Sequence, residues 1–534
     1  TVIWDACALT RSASAAGRAK LNMKQTELIT RLAGGEAFGG REPERIDTHI
    51  SVVFLTPDRA YKLKRALSTG YLDFTGLDDR KRGCEREIAL NRRTAPEIYL
   101  RAVPLSFDTQ GRLTIDGDGE PLEWLVEMKR FDPRATFDVL ASSNDLDDAL
   151  LVELADQIAD FHKTADVVDR SDFASMFNDV IAGNRDELGA SREGFFDAAE
   201  IEALTGRQLK LSRDLSPAIT RRERDGRVRE CHGDLHLGNI CLFDGQPRIF
   251  DAIEFNEDFN RIDTLYDLGF LLMDLAARGY GRGANIVFNR YMYRLPDIAG
   301  LRVLPLFLSV RATIRAHVMA KSADQQSEPA DRDRSLDLAR VYFRMAGTFM
   351  DDTEPRLIAV GGYSGTGKTT MANRIASAVG ASPGALVLSS DLLRKRRFAV
   401  EPDERLDPRM YSDDVSREIY AGMSDLAGEA LSEGRSVVVD ATFIDERSRI
   451  AIEHVASEKS VPFNGYWLTG DPEELARRIA DRPQGASDAT QTVLERQLER
   501  GPGDLRWRSI DTTAPGDGGL EAVRDDLGLP AQTL

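Results

Sequence analysis

The sequence has little cysteine, and its four cysteines are scattered along the chain at Cys7, Cys84, Cys231 and Cys241. No two of them have C-x-x-C spacing, so neither a zinc site nor a thiol redox motif is indicated. Free cysteine is usually buried, and thiols stay reduced in the cytoplasm. We therefore expect reduced, mostly buried thiols in a cytoplasmic protein.

Long hydrophobic runs are also missing. The longest apolar stretches are residues 265–277, which Asp267 and Asp274 interrupt, and residues 304–310. A helix that crosses a bilayer needs about 20 predominantly apolar residues. The beginning of the chain shows no basic segment followed by an apolar core, so we expect no signal peptide. The sequence predicts no membrane partner.

Positive charge is in deficit, because 70 lysines and arginines stand against 88 aspartates and glutamates and the net charge is -18. This balance argues against a general binder of nucleic acids or anionic membranes. Hydrophobic residues make up 42% of the chain, which is enough apolar material for more than one core. At roughly 100–200 residues per domain, 534 residues indicate about three compact units.

Three blocks follow one another along the chain. The first is rich in strands, the second is mostly helical, and from Arg356 strands and helices alternate as in a parallel sheet covered by helices. Pro355 and the acidic run before it end a helix, so we place a boundary at residues 351–356. The predicted units are a poorly ordered extension over 1–22 before the plausible start Met23, a strand-rich unit over 23–130, a helical unit over 131–350 and an α/β unit over 356–534.

A phosphate-binding loop opens the third block. Residues 362–369 match G-x-x-x-x-G-K-S/T, the Walker A motif, between an apolar strand and a helix, as the motif requires. Glycines let backbone N–H groups surround phosphate oxygens, and the helix N-terminus adds positive potential. Lys368 would reach the β- and γ-phosphates of ATP, and the Thr369 hydroxyl would bind Mg²⁺. The residues predicted to bind nucleotide here are Gly362, Ser364, Gly365, Thr366, Gly367, Lys368, Thr369 and Thr370.

The apolar strand in GRSVVVDATF ends in Asp440. A carboxylate at the carboxyl end of a buried strand, beside the phosphate loop, can hold Mg²⁺ through water. We therefore predict Asp440 as a metal ligand, with an aspartate that caps a helix as the alternative.

The middle block carries a second set of phosphoryl-transfer residues. HGDLHLGN, residues 232–239, has the spacing H-x-D-L-x-x-x-N, and Asp251 follows after a second strand. Such a loop needs a carboxylate to accept the proton of the acceptor hydroxyl, here Asp234. It also needs an amide and a carboxylate to hold Mg²⁺, here Asn239 and Asp251. A degenerate, inactive site is the alternative.

HGDLHLGNI together with IFDAIEF resembles the aminoglycoside-phosphotransferase and choline-kinase group, relatives of the protein kinases. The resemblance implies an α+β protein-kinase-like fold whose small lobe is the first block. We expect His232 to position the catalytic loop, whereas His236 could contact the substrate or a phosphate. In this family an aspartate in the place of Asp263 or Asp267 tends to brace the loop, and two solvated carboxylates are the alternative.

A kinase small lobe needs a lysine for the α- and β-phosphates and a glutamate that orients it. AYKLKR offers Lys62 and Lys64 on one strand face, and alignment with V-A-I-K favours Lys64. The following helix offers Glu85 and Glu87, and the resemblance of REIALNR to the family helix favours Glu87.

The segment WLVEMKRF resembles the hinge between the lobes of such kinases. The resemblance implies that main-chain groups around Glu127 and Met128 bind adenine.

The third block resembles small P-loop kinases of the gluconate-kinase, chloramphenicol-phosphotransferase and zeta-toxin type, through GGYSGTGKTT, SSDLLRKRR and VVVDATF. The resemblance implies that Asp391 activates the acceptor hydroxyl, with helix capping as the alternative. ARRIADRPQGASDA looks like their lid, in which Arg478 and Arg482 could reach the transferring phosphoryl group. A solvated basic face is the alternative for these two arginines.

The whole chain resembles the bacterial bifunctional aminoglycoside phosphotransferase/ATP-binding proteins. This resemblance implies two ATP- and Mg²⁺-dependent kinase centres that act on hydroxyl groups of a small metabolite, such as a sugar, an aminoglycoside or a nucleoside-like compound. The alternative is a nucleotide-sensing regulator in which one centre is degenerate. The family name reflects fold similarity and does not establish an antibiotic substrate.

Overall fold

The computed structural model describes residues 25–68, 72–170, 172–191, 194–326, 328–481, 487–514 and 516–529. The predicted extension over residues 1–22, Cys7 and Arg482 lie outside these ranges. The chain forms two compact units: unit 1 comprises the residues up to Arg278 together with Leu306–Thr348, and unit 2 comprises Gly279–Pro305 together with the residues from Phe349 onward. Cys84, Cys231 and Cys241 are buried free thiols, as predicted.

Unit 1 begins with a helix over residues 25–33, α1, and an antiparallel sheet of six strands in the order β1-β2-β3-β6-β4-β5. Its elements are β1 (Glu44–Asp47), β2 (Ser51–Leu55), β3 (Arg59–Lys64), α2 (Leu77–Asn91), β4 (Tyr99–Phe107), β5 (Leu113–Ile115) and β6 (Glu123–Lys129). Side chains two apart on a strand share a face. Lys62 and Lys64 therefore both reach α2, where each bonds Glu87.

The rest of unit 1 is helical, with two short two-stranded sheets, β7–β10 and β8–β9. Its elements, with α9 belonging to unit 2, are α3 (Phe137–Ser142), α4 (Asp148–Thr164), α5 (Phe173–Gly189), α6 (Ala198–Arg224), β7 (Val228–Glu230), β8 (Ile240–Phe243), β9 (Gln246–Ile249), α7 (Glu257–Asn260), β10 (Arg261–Asp263), α8 (Thr264–Ala277), α9 (Gly281–Arg294), α10 (Leu304–Gln325) and α11 (Pro329–Thr348). The interrupted apolar run at 265–277 forms α8, which is buried along almost its whole length. Within the described ranges, every helix is too short or too polar to cross a membrane.

Unit 2 contains the predicted parallel sheet, with five strands in the order β12-β13-β11-β14-β15. Its elements after α11 are β11 (Leu357–Gly362), α12 (Lys368–Ala376), β12 (Leu386–Ser389), α13 (Ser390–Arg397), α14 (Asp413–Ser432), β13 (Val437–Asp440), α15 (Glu446–Glu458), β14 (Phe463–Thr469), α16 (Pro472–Ala480), α17 (Gln491–Arg500), β15 (Arg508–Asp511) and α18 (Gly518–Leu527). Strand β15 was not predicted from the sequence, because only Ile510 of its four residues is buried and no apolar run marks it.

Helix α9 covers the free edge of β12 inside unit 2. Val387 N–H donates to Asn289 Oδ1 at 2.7 Å, and Asn285 Nδ2 donates to the carbonyls of Pro383 and Ala385 at 3.0 and 3.1 Å. An edge strand otherwise leaves such main-chain groups without partners. Residues 279–305, which the sequence analysis assigned to the helical unit, therefore complete the sheet of unit 2.

Candidate active sites

Four buried charged side chains of unit 1 and the half-buried Asp251 form one cluster between β3, α2 and the segment after β9. Lys62 Nζ lies 2.8 Å from Glu87 Oε1 and 2.5 Å from Asp251 Oδ1. Lys64 Nζ lies 2.6 Å from Glu87 Oε2 and also bonds Glu254. Burial lowers the pKa of the Lys62 ammonium, but the charges of Asp251 and Glu87 outweigh it and the pKa stays well above its ordinary value. The cluster is therefore a charged network that joins the small-lobe strand to Asp251.

The two lysines differ in depth. The Lys62 side chain is 6% exposed and touches Asp251, whereas the Lys64 side chain is 0% exposed and is held between two carboxylates. A side chain enclosed in this way cannot also contact a nucleotide. The preference for Lys64 as the phosphate-binding lysine does not agree with this placement, which favours Lys62. The preference for Glu87 over Glu85 agrees with the structure, because Glu87 bonds both lysines.

The catalytic loop places Asp234 and Asn239 in contact. Asn239 Nδ2 donates to Asp234 Oδ2 and to the Asp234 carbonyl, both at 2.9 Å. Asp234 is 1% exposed, and in the described part of the chain its Oδ1 has no hydrogen-bond partner; His236 Nε2 lies 3.5 Å from it. Burial alone would raise the pKa of the Asp234 carboxyl, but His236 outweighs it and the pKa is lowered to about 2. Asp234 is thus an ionised carboxylate whose Oδ1 faces His236 and accepts no hydrogen bond from the described residues.

Asp267, on α8, braces this loop. Its carboxylate accepts the main-chain N–H of His232 at 3.0 Å and of Gly233 at 2.9 Å, and it lies 3.1 Å from His162 Nε2. Asp263 has a different role: it pairs with Arg222 and caps the N-terminus of α8. Asp267 therefore takes the bracing position that the family resemblance offered to either residue.

A second brace, Asp274, was missed in the sequence analysis. Asp274 Oδ2 accepts Leu237 N–H at 3.0 Å, while its other oxygen bonds Tyr342 and Arg278. Asp274 lies on α8 two helical turns after Asp267, and its presence inside an apolar helix was the available signal.

Asp251 adopts a left-handed backbone conformation, with φ of 64°, which residues other than glycine rarely adopt. Its N–H donates to the Tyr99 hydroxyl at 3.0 Å, and His232 Nε2 lies 2.9 Å from the Phe250 carbonyl. A left-handed conformation costs about 1–3 kcal/mol and is usually kept where function needs it. This conformation turns the Asp251 carboxylate toward Lys62.

The predicted adenine-binding main chain at Glu127 and Met128 lies inside the sheet. Both residues of β6 are in register with β3 on one side and β4 on the other. Their main-chain N–H and C=O groups are therefore used for hydrogen bonds to the neighbouring strands. This register does not support the prediction that these groups bind adenine.

The phosphate-binding loop of unit 2 runs from β11 into α12. A Cβ on Gly362 would lie 2.4 Å from the Leu468 carbonyl oxygen, and one on Gly365 would lie 2.8 Å from that of Leu475, so only glycine fits at either position. Lys368 Nζ donates to the Tyr363 carbonyl at 2.8 Å. The loop therefore packs closely against the main chain of Leu468 and Leu475, and Lys368 bonds a carbonyl within the loop.

Thr369, Asp440 and Asp391 lie at the carboxyl edge of the sheet. Thr369 Oγ1 donates to Asp440 Oδ2 at 2.7 Å, and Asp445 rather than Asp440 caps the next helix, α15. Burial raises the pKa of the Asp440 and Asp391 carboxyls, against the opposing charge of Lys368. The helix-capping alternative for Asp391 lacks support, because α13 has Ser389 at its N-cap and no side-chain capping bond.

Arg478 lies beside the loop but is engaged with main chain. It donates to the carbonyls of Thr512 and Thr513 at 2.8 and 3.0 Å and to Glu474 at 2.8 Å. It lines a cavity of about 240 Å³ together with Thr366, Gly367, Thr370, Met371, Arg374 and residues after β15. Arg478 therefore borders the same cavity as the phosphate-binding loop.

Gln497, on α17, is a further contact to the loop that the sequence analysis did not single out. Its Oε1 accepts the Ser364 N–H at 2.8 Å, 133 positions away in sequence. No local motif could have shown this pairing.

Two family models match the chain. The model of the phosphotransferase enzyme family matches residues 74–302, and that of a AAA domain matches residues 357–501. The predicted recognition and fold are confirmed: an aminoglycoside-phosphotransferase-type kinase domain precedes a P-loop kinase domain. Two kinase-like domains in one chain indicate ATP-dependent phosphotransfer to a small molecule.

Curated relatives include an uncharacterized protein of Mycobacterium tuberculosis and one of Mycobacterium bovis, each 28% identical over 490 residues, covering 88% of this chain and 92% of the relative. Similar solved structures include an ethanolamine kinase of Plasmodium vivax, with 9% identity, a TM-score of 0.37 and coverage of 64% of this chain and 98% of that one. A gluconokinase of Sinorhizobium meliloti has 23% identity, a TM-score of 0.24 and coverage of 33% and 96%.

Proposed function

We propose that this chain, in which a domain of the phosphotransferase enzyme family precedes a P-loop domain, is an ATP-dependent phosphotransferase with two kinase centres. Each centre would transfer the γ-phosphoryl group of ATP to a hydroxyl group of a small molecule. The observation that carries the proposal is that Asp234 Oδ1 has no hydrogen-bond partner among the described residues, with only His236 Nε2 near it at 3.5 Å, while Asp234 Oδ2 is bonded to Asn239.

In the kinase-like centre, Asp234 Oδ1 would receive the proton of the acceptor hydroxyl. The hydroxyl oxygen then forms a bond to the γ-phosphorus, the bond from this phosphorus to the β–γ bridging oxygen breaks, and ADP leaves with that electron pair. Lys62 would hold the α- and β-phosphates while Glu87 orients it. Positioning and charge supply most of the rate in such a reaction, which suits a rigidly braced loop.

The residues present fit Mg²⁺. Carboxylate, amide and hydroxyl oxygens are its preferred ligands, and each centre offers such a set: Asn239 with Asp251 in the first, and Thr369 with Asp440 in the second. When bound, Mg²⁺ neutralises charge on the phosphate oxygens.

In the P-loop centre, Asp391 would accept the proton of the acceptor hydroxyl. Its raised pKa, caused by burial, suits a general base better than an ordinary aspartate would. Lys368 would contact the β- and γ-phosphates after leaving the Tyr363 carbonyl. Arg482 remains a proposed lid residue outside the described residues.

Nucleotide stoichiometry tests the proposal. We expect equilibrium binding of a non-hydrolysable ATP analogue with Mg²⁺ to approach two per chain, because each unit holds its own set of phosphate and metal ligands. Lys368→Ala should reduce the number to one. A single site in the intact chain would contradict two kinase centres and would favour the regulator alternative.

Substitution of Lys62 and of Lys64 should affect nucleotide binding and folding stability differently. In the Lys368→Ala background, we expect Lys62→Met to weaken analogue binding with a small change in unfolding free energy, because Glu87 keeps Lys64. We expect Lys64→Met to cost about 3–5 kcal/mol of stability, since the buried Glu254 loses its cation while Glu87 keeps only Lys62. Calorimetric titration and denaturant unfolding measure both. The reverse pattern would return the phosphate role to Lys64.

A further inference from the structure

Helix α10 carries two buried arginines, Arg311 and Arg315, that no carboxylate in the described ranges neutralises by direct contact. They are 2% and 7% exposed. Arg311 Nε donates to the Tyr266 carbonyl at 3.1 Å, and Arg315 Nη2 donates to the Met319 sulfur at 3.4 Å. Arg311 Nη2 and Arg315 Nε are buried without a hydrogen-bond partner in the described structure. Both guanidinium groups therefore have donors to spare.

Three other buried arginines have carboxylate or carbonyl partners, whereas Arg394 and Arg524, 4% and 6% exposed, also keep one buried nitrogen without a hydrogen-bond partner in the described structure. Arg222 pairs with Asp263, and Arg80 with Glu123. Arg435 donates to the three carbonyls of Ala381, Ser382 and Gly384. A buried charge without such partners is unfavourable. The charge of Arg315 acts on Asp274 and Asp234 without a direct ion pair among the described residues, so its donors beside the catalytic loop are available to an anionic partner.

The two arginines lie close to the catalytic loop. The Arg311 guanidinium is 4.6 Å from the ring of Phe270, whose other neighbour, 5.4 Å away, is the ring of His236. Arg315 lies 5.7 Å from the ring of Tyr342, and the Tyr342 hydroxyl bonds the loop brace Asp274. The charge of Arg315 also acts on Asp234, and helps to lower its pKa against the effect of burial.

We propose that the acceptor of the kinase-like centre carries an anionic group, a carboxylate or a phosphate, which Arg315 binds while the acceptor hydroxyl faces Asp234. This inference rests on the proposed function. The planar guanidinium, with parallel N–H donors, matches carboxylate and phosphate oxygens. Arg311 adds a second positive charge. The chemical class is a hydroxy acid or a phosphorylated alcohol, and a cationic aminoglycoside would be repelled.

Binding of simple anions tests the site without turnover. The protein is the full chain with its native Lys368, with Mg²⁺ and a non-hydrolysable ATP analogue in excess to fill both nucleotide phosphate sites. Inorganic phosphate and acetate are titrated separately at constant ionic strength. The two arms distinguish a phosphate site from a carboxylate site. We expect at least one anion to raise the midpoint of thermal unfolding.

Variants assign that binding to Arg315. We expect Arg315→Gln to weaken anion binding roughly 10- to 100-fold, as loss of hydrogen bonds to a charged group does, and Arg315→Lys to restore part of it. The matched control is Arg213→Gln, which changes an exposed arginine of the same unit. Equal binding by Arg315→Gln and the control, or no anion binding by the parent, would overturn the proposal.

Turnover then relates the site to the reaction. Glycerol, glycerate and glycerol 3-phosphate form a matched neutral, carboxylate and phosphate series, and kanamycin supplies a cation. A higher kcat/KM for an anionic member, lost in Arg315→Gln, supports the proposal, and a preference for kanamycin contradicts it. If Arg315 binds anions but the chain binds no nucleotide, the proposed function fails while the anion site stands.

Discussion

Asp234→Asn should lower turnover at the kinase-like centre by about 10²–10⁴-fold, the usual contribution of a general base. The amide keeps the shape and the contact to Asn239 but cannot take the hydroxyl proton. Affinity for the ATP analogue should change little, because the proposed metal ligands are Asn239 and Asp251. The measurement is acceptor-dependent ADP release in the Lys368→Ala background, which removes turnover by the P-loop centre.

Two further variants serve as comparisons for Asp234→Asn. Asp244→Asn makes the same chemical change at a turn of the same unit, between β8 and β9, and should leave turnover unchanged. Asp251→Ala should weaken Mg²⁺-dependent analogue binding as well as turnover. Near-full activity of Asp234→Asn would show that this centre does not use Asp234 as a base.

A truncated chain that begins at Thr353 should fail to unfold cooperatively, although the sequence boundary at residues 351–356 favours independent folding. It lacks residues 279–305, whose helix α9 buries Val287, Phe288, Tyr291 and Met292. Burial of each such side chain contributes about 1.5–3 kcal/mol, and a domain has a total stability of only about 5–15 kcal/mol. The exposed edge of β12 should also promote aggregation.

Complementation in trans makes this prediction specific. A synthetic peptide of residues 279–305 should restore a cooperative thermal transition to the truncated protein. The same peptide with Phe288→Ala and Asn289→Ala should not, because it loses the contact with Arg435 at 5.5 Å and the bond to Val387 N–H. A cooperative transition of the truncated protein without peptide would show that α9 is dispensable.

The sequence by itself determined the parts of this protein that short spacings encode. The phosphate-binding loop needs glycines, a lysine and a threonine within eight positions, and the catalytic loop places Asp234 and Asn239 five positions apart. Alternating strands and helices predicted the parallel sheet in a similar way. The spacing of hydrophobic residues along the sequence follows the local backbone geometry of each strand and helix.

Only the tertiary structure decided which of several equivalent residues does what. Lys62 and Lys64 share a strand face, and their roles separate only because Lys62 meets Asp251, 189 positions away, while Lys64 is enclosed. The membership of α9 in unit 2 and the lack of a direct carboxylate partner for Arg315 among the described residues are likewise set by long-range packing. Burial and charge pairing depend on what surrounds a side chain in space, and a local pattern carries no information about that.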